Sequence, residues 1–386
     1  MQTLLSDQAL RRRVASWFRH EPVSFFVVTT PGLESFTSNE ISQWIPDAAI
    51  HQEKGGLTVT GPLAMMIPLN ERLLTASRVL LRIDECIAQS YPEFFQKVKR
   101  IHWEVYLGKS GRFTTDITAK KSRLHHTGNI EKSLRDGIGS YYSQWLPSDD
   151  SQPVLPAVFL RLMEDRCTFS LDTSGELLYQ RGYRLASGLA PIRETLAVSM
   201  LMEAGATRFP AIVDPFCGTG TFLLEARRLL VPVPASRWRS FPFTGFPFYH
   251  EPTHRHHRSL PAEKPAIFPV LAGSDRQPEA IRKAKDNDRL QGLEPVIEWS
   301  QTDCHDLKNK WGPDGLLIMN PPWGMRVAST GGSVDDWLAI FRERFAGWEV
   351  RMVLPADFPV PAGLTIRFRS VSGGRPVMVA GGRLTT

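Results

Sequence analysis

Residues 211–224 read AIVDPFCGTGTFLL, and the rest of the chain is most easily interpreted from this stretch. An apolar run ends at Asp214, two glycines follow at Gly218 and Gly220, and an apolar helical pattern begins directly after them. The pattern predicts a buried strand, a tight turn and a helix, because glycine lets the backbone turn sharply and approach a ligand closely. The start of a helix offers free N–H groups to a carboxylate. An acid beside these donors suits a ligand with both an ammonium and a carboxylate, such as the methionine part of S-adenosylmethionine.

The same stretch excludes two related turns. A dinucleotide-binding turn would need a third glycine where this chain has Leu223, and no Gly-Lys-Ser/Thr triplet of a phosphate-binding loop follows these glycines. The alternative that the residues leave open is a strand-to-helix turn without a ligand.

Two more acids stand at predicted strand ends. Asp275 closes the sequence GSD, where a carboxylate can accept from both hydroxyls of a ribose. Asp303 closes QTD after the following strand, where it could accept from an adenine amino group. Each acid, taken alone, could equally be a helix cap.

The sequence Asn320-Pro321-Pro322-Trp323-Gly324 directly follows the apolar strand LLIM. The Asn320 side-chain oxygen and the Pro321 carbonyl can both accept from one NH2 group, which turns the nitrogen lone pair out of the ring system and towards a methyl donor. The two prolines hold the carbonyls with little freedom, and Trp323 offers a face on which a base can stack. A Pro-Pro turn that only ends a strand is the alternative.

Helices alternate with short apolar strands from residue 185 onwards. This alternation predicts an α/β fold with a doubly wound, mostly parallel sheet. Residues 231–269 interrupt it, which predicts either an active-site loop or a disordered segment. Its aromatic residues could stack on bases or cover a sheet edge, and its histidines suggest a solvated or RNA-facing loop. These residues are Phe241, Phe243, Phe246, Phe248 and Tyr249, with His250, His254, His256 and His257.

The first half of the chain has the pattern of two smaller α+β units. Strands are predicted at residues 23–30, 57–61 and 79–87, and helices at residues 33–44 and 64–78. Beyond residue 91 the pattern predicts a helix, a strand, a basic loop and a second helix. A strand hairpin follows, and its continuation reaches residue 184.

Positive charge is concentrated in residues 97–135. The chain has a net charge of +6, and this segment alone holds ten basic residues against three acids. Such a cluster suits a polyanion such as RNA, although a solvated surface explains an isolated charge cluster as well. The predicted RNA contacts are Lys97, Lys99, Arg100, Lys120, Lys121 and Arg123.

The remaining composition narrows the class of protein. No stretch long enough to span a bilayer is free of charge, and the basic start MQTLLSDQALRRR is unlike a secretion signal. The four cysteines are far apart and form no CxxC pair, which argues against a zinc site or a disulfide framework and fits a reducing cytoplasm. We therefore expect a cytoplasmic protein that needs no metal.

The strings DPFCGTGTFLLEA, GSD, QTD and NPPWG, in this order and spacing, resemble class I S-adenosylmethionine-dependent methyltransferases that act on amino groups. Residues 171–197 (LDTSGELLYQRGYRLASGLAPIRETLA) resemble the junction between a THUMP RNA-binding domain and the catalytic domain of guanine-N2 methyltransferases. The organisation is similar to the amino-terminal half of the bacterial large-subunit rRNA guanine-N2 methyltransferase. The resemblance implies a Rossmann-like catalytic domain at residues 185–386, preceded by a ferredoxin-like unit at 1–85 and a THUMP-like domain at 86–184.

The resemblance also implies roles for individual residues. Asp214, Gly218 and Gly220 would hold the methionine part of the cofactor, with Asp275 at the ribose and Asp303 at the adenine. Asn320, Pro321, Pro322 and Trp323 would grip the target base. The remaining residues of the implied cofactor pocket are Glu194, Thr195, Phe216 and Thr221.

The resulting prediction is an S-adenosylmethionine-dependent RNA methyltransferase that modifies an exocyclic base amine, with guanine N2 in rRNA or tRNA as the leading target. The family often has tyrosine at the position of Trp323, and NPPW also occurs in adenine-N6 and cytosine-N4 methyltransferases. An adenine-N6 methyltransferase acting on RNA or DNA is therefore one alternative. A catalytically silent RNA-binding protein with the same fold is another.

Overall fold

A computed structural model describes residues 6–19, 22–109, 111–142, 155–183, 192–259, 268–322 and 333–385. Two sheets organise these residues, one in each half of the chain. Every helix in these ranges is too short or too polar to cross a lipid bilayer.

The first sheet mixes strands from both predicted amino-terminal units. Its strands are β1 (Val23–Thr29), β2 (Ala49–Glu53), β3 (Gly56–Gly61), β4 (Ala76–Ile87), β5 (Thr114–Lys120), β6 (Ala157–Met163) and β7 (Arg166–Asp172). They lie in the order β2-β3-β1-β4-β7-β6-β5, antiparallel except for the parallel pair β5 and β6. The accompanying helices are α1 (Asp7–Trp17), α2 (Glu34–Trp44), α3 (Met66–Glu71), α4 (Tyr91–Arg100), α5 (Trp103–Leu107) and α6 (Thr127–Tyr142).

One face of this sheet is packed against helices. Phe25 and Val27 of β1 are fully buried in a core that also contains Phe94 of α4 and Leu134 of α6. Burial of such apolar side chains stabilises the fold by about 25 cal/mol per Å² removed from water. Because successive strand residues point to opposite faces of a sheet, the residues between them form the second face.

Strand β4 connects the two predicted amino-terminal units. It pairs with β1 on one side and with β7 on the other, so both units contribute to one continuous sheet. The strand also runs past residue 85, where the first boundary was predicted. The boundaries after residues 85 and 184 stay predictions.

The second sheet has the alternation expected of an α/β domain. Its strands are β8 (Ala211–Asp214), β9 (Val270–Asp275), β10 (Ile297–Gln301), β11 (Leu316–Met319), β12 (Glu349–Pro355), β13 (Thr365–Ser372) and β14 (Arg375–Arg383). The helices are α7 (Glu194–Ala204), α8 (Thr221–Leu230), α9 (Glu251–Ser259), α10 (Pro278–Gln291) and α11 (Val334–Arg344). The strand order is β10-β9-β8-β11-β12-β14-β13, with β10 to β12 parallel and β14 antiparallel to both of its neighbours. Side chains of α7 and α8 pack on one face and those of α11 on the other, which confirms the doubly wound, mostly parallel sheet.

The helix predicted over residues 64–78 is wrong in its second half. Helix α3 ends at Glu71, and strand β4 begins at Ala76. The buried carboxylate of Glu40 accepts hydrogen bonds from the backbone N–H groups of Leu74 (2.6 Å) and Thr75 (3.0 Å). These two N–H groups are thereby withdrawn from the helical pattern, which is a tertiary effect that the local sequence does not reveal.

The hairpin continuation predicted up to residue 184 is also wrong. Residues 173–183 form turns and bends rather than a strand. The hydroxyl groups of Thr173 and Ser174 bind Asn70 in α3, whereas Arg181 and Tyr183 bind Glu225 in α8. Strand β2 and helix α11 are two elements that the sequence pattern missed.

A buried ion pair is one of the contacts that join the two halves. Arg181 donates to both carboxylate oxygens of Glu225 in α8, at 3.2 and 3.0 Å, and both side chains are at most 2% exposed. Arg181 also donates to the Leu74 carbonyl (2.6 Å), and the Tyr183 hydroxyl donates to Glu225 (2.6 Å). The bidentate geometry therefore ties the segment after β7 to both halves of the molecule.

Residues 231–259 are ordered, contrary to one of the two expectations for this interruption. They form two short 3₁₀ helices (Ala235–Arg237 and Pro242–Gly245) and α9, and they cover the core of the first sheet. The buried members of the aromatic stripe are Phe241, Phe243, Phe246 and Phe248. These rings fill a core, so base stacking is excluded for them. Residues 260–267 lie outside the described residues.

His254 is buried, so the expectation of a solvated histidine is wrong at this position. Only 3% of His254 is exposed. Its Nε2 lies 2.7 Å from Glu71 Oε1 in α3, and its Nδ1 lies 2.8 Å from the Tyr249 hydroxyl. These contacts fasten α9 to the first half of the chain.

The cysteines are less separated than their sequence positions suggest. Cys86 and Cys167 are register partners across β4 and β7. Both are free thiols, as are Cys217 and Cys304.

Candidate active site

Four parallel strands end side by side at one edge of the second sheet. They are β10, β9, β8 and β11, and their carboxyl ends lead to Asp303, Asp275, Asp214 and Asn320. The chain leaves β8 towards β9 on one side while β11 lies on the other, so the strand order reverses between β8 and β11. Ligands of open α/β sheets bind in the crevice at such a reversal. The polar residues singled out in the sequence therefore meet where this fold binds a ligand.

The glycine loop, residues 215–220, joins β8 to α8. Asp214 Oδ1 accepts from the Phe216 N–H at 3.0 Å. Gly218 and Gly220 have φ values of +53° and +89°, a region that favours glycine. A Cβ at Gly220 would lie 2.6 Å from the ring of Trp299, whereas a Cβ at Gly218 would have no heavy atom within 4 Å. Gly220 is thus required by the packing behind the loop, and Gly218 faces open space that a ligand can enter.

Asp275 connects β9 to this loop. One carboxylate oxygen accepts from the Gly218 N–H at 3.0 Å, and the other accepts from the Gln277 N–H at 2.9 Å. A carboxylate has about four lone-pair sites, so Asp275 can still accept from two further donors. The two hydroxyls of a ribose are suitable donors.

Asp214 is the most deeply buried acid of the site, with only 1% of its surface exposed. Burial raises its pKa well above the ordinary value, and the charge of Asp275 raises it further, although the Phe216 N–H lowers it. A buried carboxylate whose charge is disfavoured gains from a cationic ligand. S-adenosylmethionine carries an ammonium for this carboxylate and a carboxylate for the N–H groups at the start of α8. The residues present therefore fit this cofactor.

One oxygen of the Asp303 carboxylate is already hydrogen-bonded within its own turn. Its Oδ1 accepts from the His305 backbone N–H (3.0 Å) and lies 2.6 Å from His305 Nδ1. Partial burial raises the pKa of Asp303, but the hydrogen bonds from His305 and Cys304 outweigh it and lower that pKa overall. One carboxylate oxygen thus caps the turn, and the other can accept from an amino group.

Asp303, Cys304 and His305 also form a cluster of potential metal ligands, with ligand atoms within 4.8 Å of one another. These three residues are consecutive in the sequence, and the Asp303–His305 hydrogen bond accounts for their proximity. Burial raises the pKa of the Cys304 thiol to about 12, so the thiol is a poor metal ligand at neutral pH.

The residues predicted to grip the base extend β11. Asn320 and Pro322 are partly buried and Pro321 is buried. Trp323 lies outside the described residues, so its role in stacking stays a prediction.

The other predicted cofactor residues lie at the starts of two helices and in the glycine loop. Glu194 and Thr195 begin α7 and are buried, and the Thr195 hydroxyl has no hydrogen-bond partner among the described residues. Thr221 begins α8 and is 6% exposed. The ring of Phe216 packs on Trp337 of α11, with centroids 5.0 Å apart. Their cofactor contacts stay predictions.

The structure separates the residues predicted to contact RNA. Lys97, Lys99 and Arg100 occupy the last turn of α4, on the helical side of the first sheet. Lys120 ends β5 and lines a cavity on the other face. Two more members have acidic neighbours, since Lys121 lies 3.7 Å from Glu164 and Arg123 lies 3.9 Å from Asp165. Lys120 therefore lies on the other face of the sheet from α4, and the RNA contacts of all six residues stay predictions.

Two residues that support the glycine loop were not predicted. Trp299 of β10 packs behind Gly220 and donates from its indole to Asp288 at 2.8 Å. Asn287 of α10, fully buried, donates to the Thr219 carbonyl at 3.2 Å. Neither belongs to a motif, and only their position beside the loop in space identifies them.

Two family models match separate parts of the chain. The model described as the RMKL-like methyltransferase domain matches residues 181–345, and the one described as the RlmL ferredoxin-like domain matches residues 24–80. These matches confirm the predicted Rossmann-like domain and the ferredoxin-like domain that precedes it.

Curated relatives match most of the length of this chain. A protein of Syntrophotalea carbinolica named ribosomal RNA large subunit methyltransferase K/L is 29% identical over 85% of this chain. This chain spans only 48% of the length of that relative. A Synechocystis protein, provisionally named an RNA methyltransferase, is 28% identical over 84% of this chain and 86% of its own length.

Solved structures share the fold across almost the whole chain. A provisionally named methyltransferase crystallised with SAH has a TM-score of 0.79 and 24% identity, covering 95% of this chain and 99% of its own. TrmN from Thermus thermophilus has a TM-score of 0.66 and 17% identity, covering 94% of this chain and 100% of its own.

Fold, glycine loop and family match together define an S-adenosylmethionine-dependent methyltransferase of class I. Within that class, the chain is similar to the RlmL-like methyltransferases, since residues 24–80 match the RlmL ferredoxin-like domain and residues 181–345 match the methyltransferase domain.

The buried acid of the site leads to a pH-dependent prediction. The pKa of Asp214 in the folded protein lies above its ordinary value of 3.8. Protonated Asp214 therefore stabilises the folded state fully below pH 3.8, and this stabilisation is lost as the pH rises through the raised pKa. At a pH above that pKa and without cofactor, Asp214→Asn should therefore raise Tm, by about 2–4 °C for each kcal/mol of destabilisation that the substitution removes. Its affinity for S-adenosylhomocysteine should fall by about tenfold or more, through loss of a charge-assisted contact.

Thermal melts from pH 4 to pH 9 and calorimetric titration check both expectations. A variant that loses stability at every pH would show that Asp214 is a structural acid. Unchanged affinity would separate it from the cofactor.

Proposed function

We propose that this chain transfers a methyl group from S-adenosylmethionine to an exocyclic amino group of an RNA base, with guanine N2 in rRNA or tRNA as the leading target. The observation that carries the proposal is the Asn320-Pro321-Pro322 sequence at the end of β11, beside the glycine loop and across the reversal of strand order. The names of the relatives support RNA as the substrate.

In the proposed complex the acidic residues hold the cofactor. Asp214 and the N–H groups at the start of α8 bind the methionine part, with Gly218 leaving space for it. Asp275 accepts from the ribose, and the free oxygen of Asp303 accepts from the adenine amino group. Glu194, Thr195, Phe216 and Thr221 complete the walls of the pocket. When bound, S-adenosylmethionine supplies an electrophilic methyl group.

The target base would be flipped into the crevice from the β11 side. The side-chain oxygen of Asn320 and the carbonyl of Pro321 would each accept one N–H of its amine. Both acceptors lie in one short, proline-restricted segment, so they would hold the amine with its lone pair aimed at the methyl group. Positioning of this kind can supply a large part of a rate enhancement without a covalent nucleophile.

A second target is adenine N6, which has an exocyclic amine of the same geometry. It is favoured by Trp323, because NPPW occurs in enzymes that methylate adenine N6. The shared fold with TrmN leaves both bases open, because structural similarity at 17% identity concerns the fold alone.

Methyl transfer from deuterated S-adenosylmethionine to separate pools of rRNA, tRNA and genomic DNA tests the proposal. We expect label in RNA, and nucleoside mass spectrometry should identify N2-methylguanosine. N6-methyladenosine in RNA would change the target base, and label in DNA alone would overturn the RNA assignment. Absence of transfer to all three pools, despite tight cofactor binding, would favour the catalytically silent alternative.

A further inference from the structure

Two cysteines lie side by side near one end of the first sheet. Cys86, close to the end of β4, is the register partner of Cys167, the second residue of β7. Residues directly opposite each other in antiparallel strands have Cα atoms about 4.5 or 5.5 Å apart, depending on the hydrogen-bonding pattern. Both separations lie within the range of about 4.4–6.8 Å that a disulfide spans. The two sulfur atoms can therefore be joined without displacing either strand.

A bulge in β4 brings the two thiols together. The register of β4 against β7 shifts between Arg82 and Asp84, where β4 holds one extra residue. Extending the register that holds before Asp84 would place Cys86 opposite Arg166. The shift places Cys86 opposite Cys167 instead, and side chains of such partners point to the same face of the sheet. The tertiary structure thus pairs two cysteines that are eighty-one positions apart in the chain.

The two thiols differ in exposure. Cys86 is partly exposed, whereas Cys167 is fully buried in the core of the first half. The pair lies near the end of the β4–β7 ladder, since the Ala88 N–H donates to the Asp165 carbonyl at 3.0 Å just beyond it. A small oxidant can therefore reach the sulfur of Cys86, while Cys167 is shielded from it.

The hydrogen bond between the two thiols determines which of them ionises first. It lowers the pKa of Cys86, and Lys97 contributes to the lowering, although burial and two nearby acids raise it. The same hydrogen bond raises the pKa of Cys167, and burial raises it further. The Cys167 sulfur also lies 3.9 Å from the Asp165 carbonyl, which is a weak acceptor for a thiol at that distance. Because the thiolate is the reactive form of cysteine, Cys86 is the nucleophile of the pair and Cys167 keeps its proton.

We propose that Cys86 and Cys167 form a reversible disulfide when the protein meets hydrogen peroxide. The Cys86 thiolate attacks one peroxide oxygen, the O–O bond breaks, and a sulfenic acid and hydroxide are formed. The Cys167 sulfur then attacks the sulfenic sulfur, so that the S–S bond forms, the S–O bond breaks, and the oxygen leaves as water with the Cys167 proton. The hydroxide takes up the proton that Cys86 released. Two thiols thus lose two electrons and two protons in all, and one peroxide becomes two water molecules.

The disulfide would fasten the β6–β7 hairpin to β4, the strand that connects the two predicted amino-terminal units. A small thiol would reverse the bond by thiol–disulfide exchange, with attack on the partly exposed Cys86 sulfur. The inference does not depend on the proposed function, because no step of it involves the cofactor or a nucleic acid.

The other two cysteines provide a comparison within the same chain. Cys217 and Cys304 are both buried. Burial raises the pKa of Cys217 well above its ordinary value and that of Cys304 to about 12. Both thiols therefore stay protonated at neutral pH, and we expect them to react slowly with an oxidant.

The test follows the four thiols of the reduced full chain during treatment with hydrogen peroxide. Samples are quenched with catalase, unfolded and blocked with N-ethylmaleimide, and mass spectrometry counts the blocked thiols and identifies cross-linked peptides. The test variants are Cys86→Ser and Cys167→Ala. The matched control is Cys217→Ala/Cys304→Ala, which removes two thiols and leaves the proposed pair intact.

We expect the wild type and the control variant each to lose two thiols, to become lighter by two hydrogen atoms, and to yield a peptide that joins Cys86 to Cys167. Dithiothreitol should restore both thiols. Cys86 should react at least about tenfold faster than Cys217 or Cys304. In Cys167→Ala the sulfenic acid has no thiol to attack it, so dimedone should label Cys86 in this variant and hardly at all in the wild type. Cys86→Ser should form no disulfide at Cys167.

Four outcomes would overturn the inference. They are oxidation of Cys86 to a sulfinic acid while Cys167 remains a free thiol, a disulfide between two different chains, a cross-link that involves Cys217 or Cys304, and equal dimedone labelling of the wild type and Cys167→Ala. The wild-type measurement involves no substitution, so it decides the inference even if a variant fails to fold.

Discussion

Replacing Asn320 with alanine is expected to slow methyl transfer about a hundredfold or more in a single turnover, the scale of losing one preorganised polar partner. In the proposed geometry Asn320 accepts from the amine as its nitrogen becomes tetrahedral, so the hydrogen bond strengthens in the transition state. The affinity for S-adenosylhomocysteine should change little, because Asn320 lies on the β11 side of the crevice and the acids proposed to bind the cofactor follow β8, β9 and β10. Rapid-quench methylation of the RNA substrate measures the rate, and calorimetry measures the affinity.

Asn320→Asp is the matched control for this experiment. It keeps an acceptor oxygen at the same position, and we expect it to retain more activity than alanine. Both variants should melt at the wild-type temperature. A wild-type rate for Asn320→Ala would show that the Asn-Pro-Pro sequence only ends β11, and the RNA-binding alternative would then be preferred.

Glu225→Ala is expected to destabilise the protein by about 3–5 kcal/mol, which is the range for removing one partner of a buried ion pair. Arg181 would keep its charge at a position where only 2% of its side chain is exposed, and the Tyr183 hydroxyl would lose its acceptor. Because Arg181 also binds the Leu74 carbonyl, the loss should loosen the contact between the two halves. Urea unfolding followed by circular dichroism measures the change.

The double variant Arg181→Met/Glu225→Met distinguishes the cost of an unpaired charge from the cost of lost packing. We expect it to be more stable than Glu225→Ala, since replacing both charges leaves no buried ion without a partner. If both variants lose the same stability, packing rather than charge holds the joint. A double variant with normal stability but a low rate of methylation would show that the pair positions the two halves for catalysis.

The catalytic half could be predicted closely because its signals are local. The apolar strands, the glycine turn after Asp214 and the Asn320-Pro321-Pro322 turn each lie within a few consecutive residues. A buried parallel sheet gathers the carboxyl ends of its strands at one edge, so the order of these short motifs was enough to predict a shared site. The helix start after Gly220 similarly follows from glycine conformation alone.

The site still contains features without a local signal. Asn287 and Trp299 support the glycine loop from elements more than sixty positions away in the chain, and nothing in their own neighbourhood marks them. The hydrogen bonds that Asp303 makes with His305 likewise depend on the shape of the turn after β10. Sequence alone offered a cap and an adenine contact for Asp303. The structure shows one oxygen capping the turn, and the adenine contact stays a prediction.

By itself, the sequence determined the class of the catalytic domain, the order of its motifs and the residues that meet at its edge, since strand alternation and turn chemistry act over short distances. Tertiary structure alone decided where α3 ends, which face of the first sheet is open, and where residues 231–259 pack. Glu40 withdraws two N–H groups more than thirty positions away, and His254 binds Glu71 across 183 positions. Composition alone did not distinguish the buried phenylalanines of residues 231–259 from an exposed surface on which bases stack. Whether an aromatic ring or a charge is exposed depends on what packs against it, and that partner is supplied by a distant part of the chain.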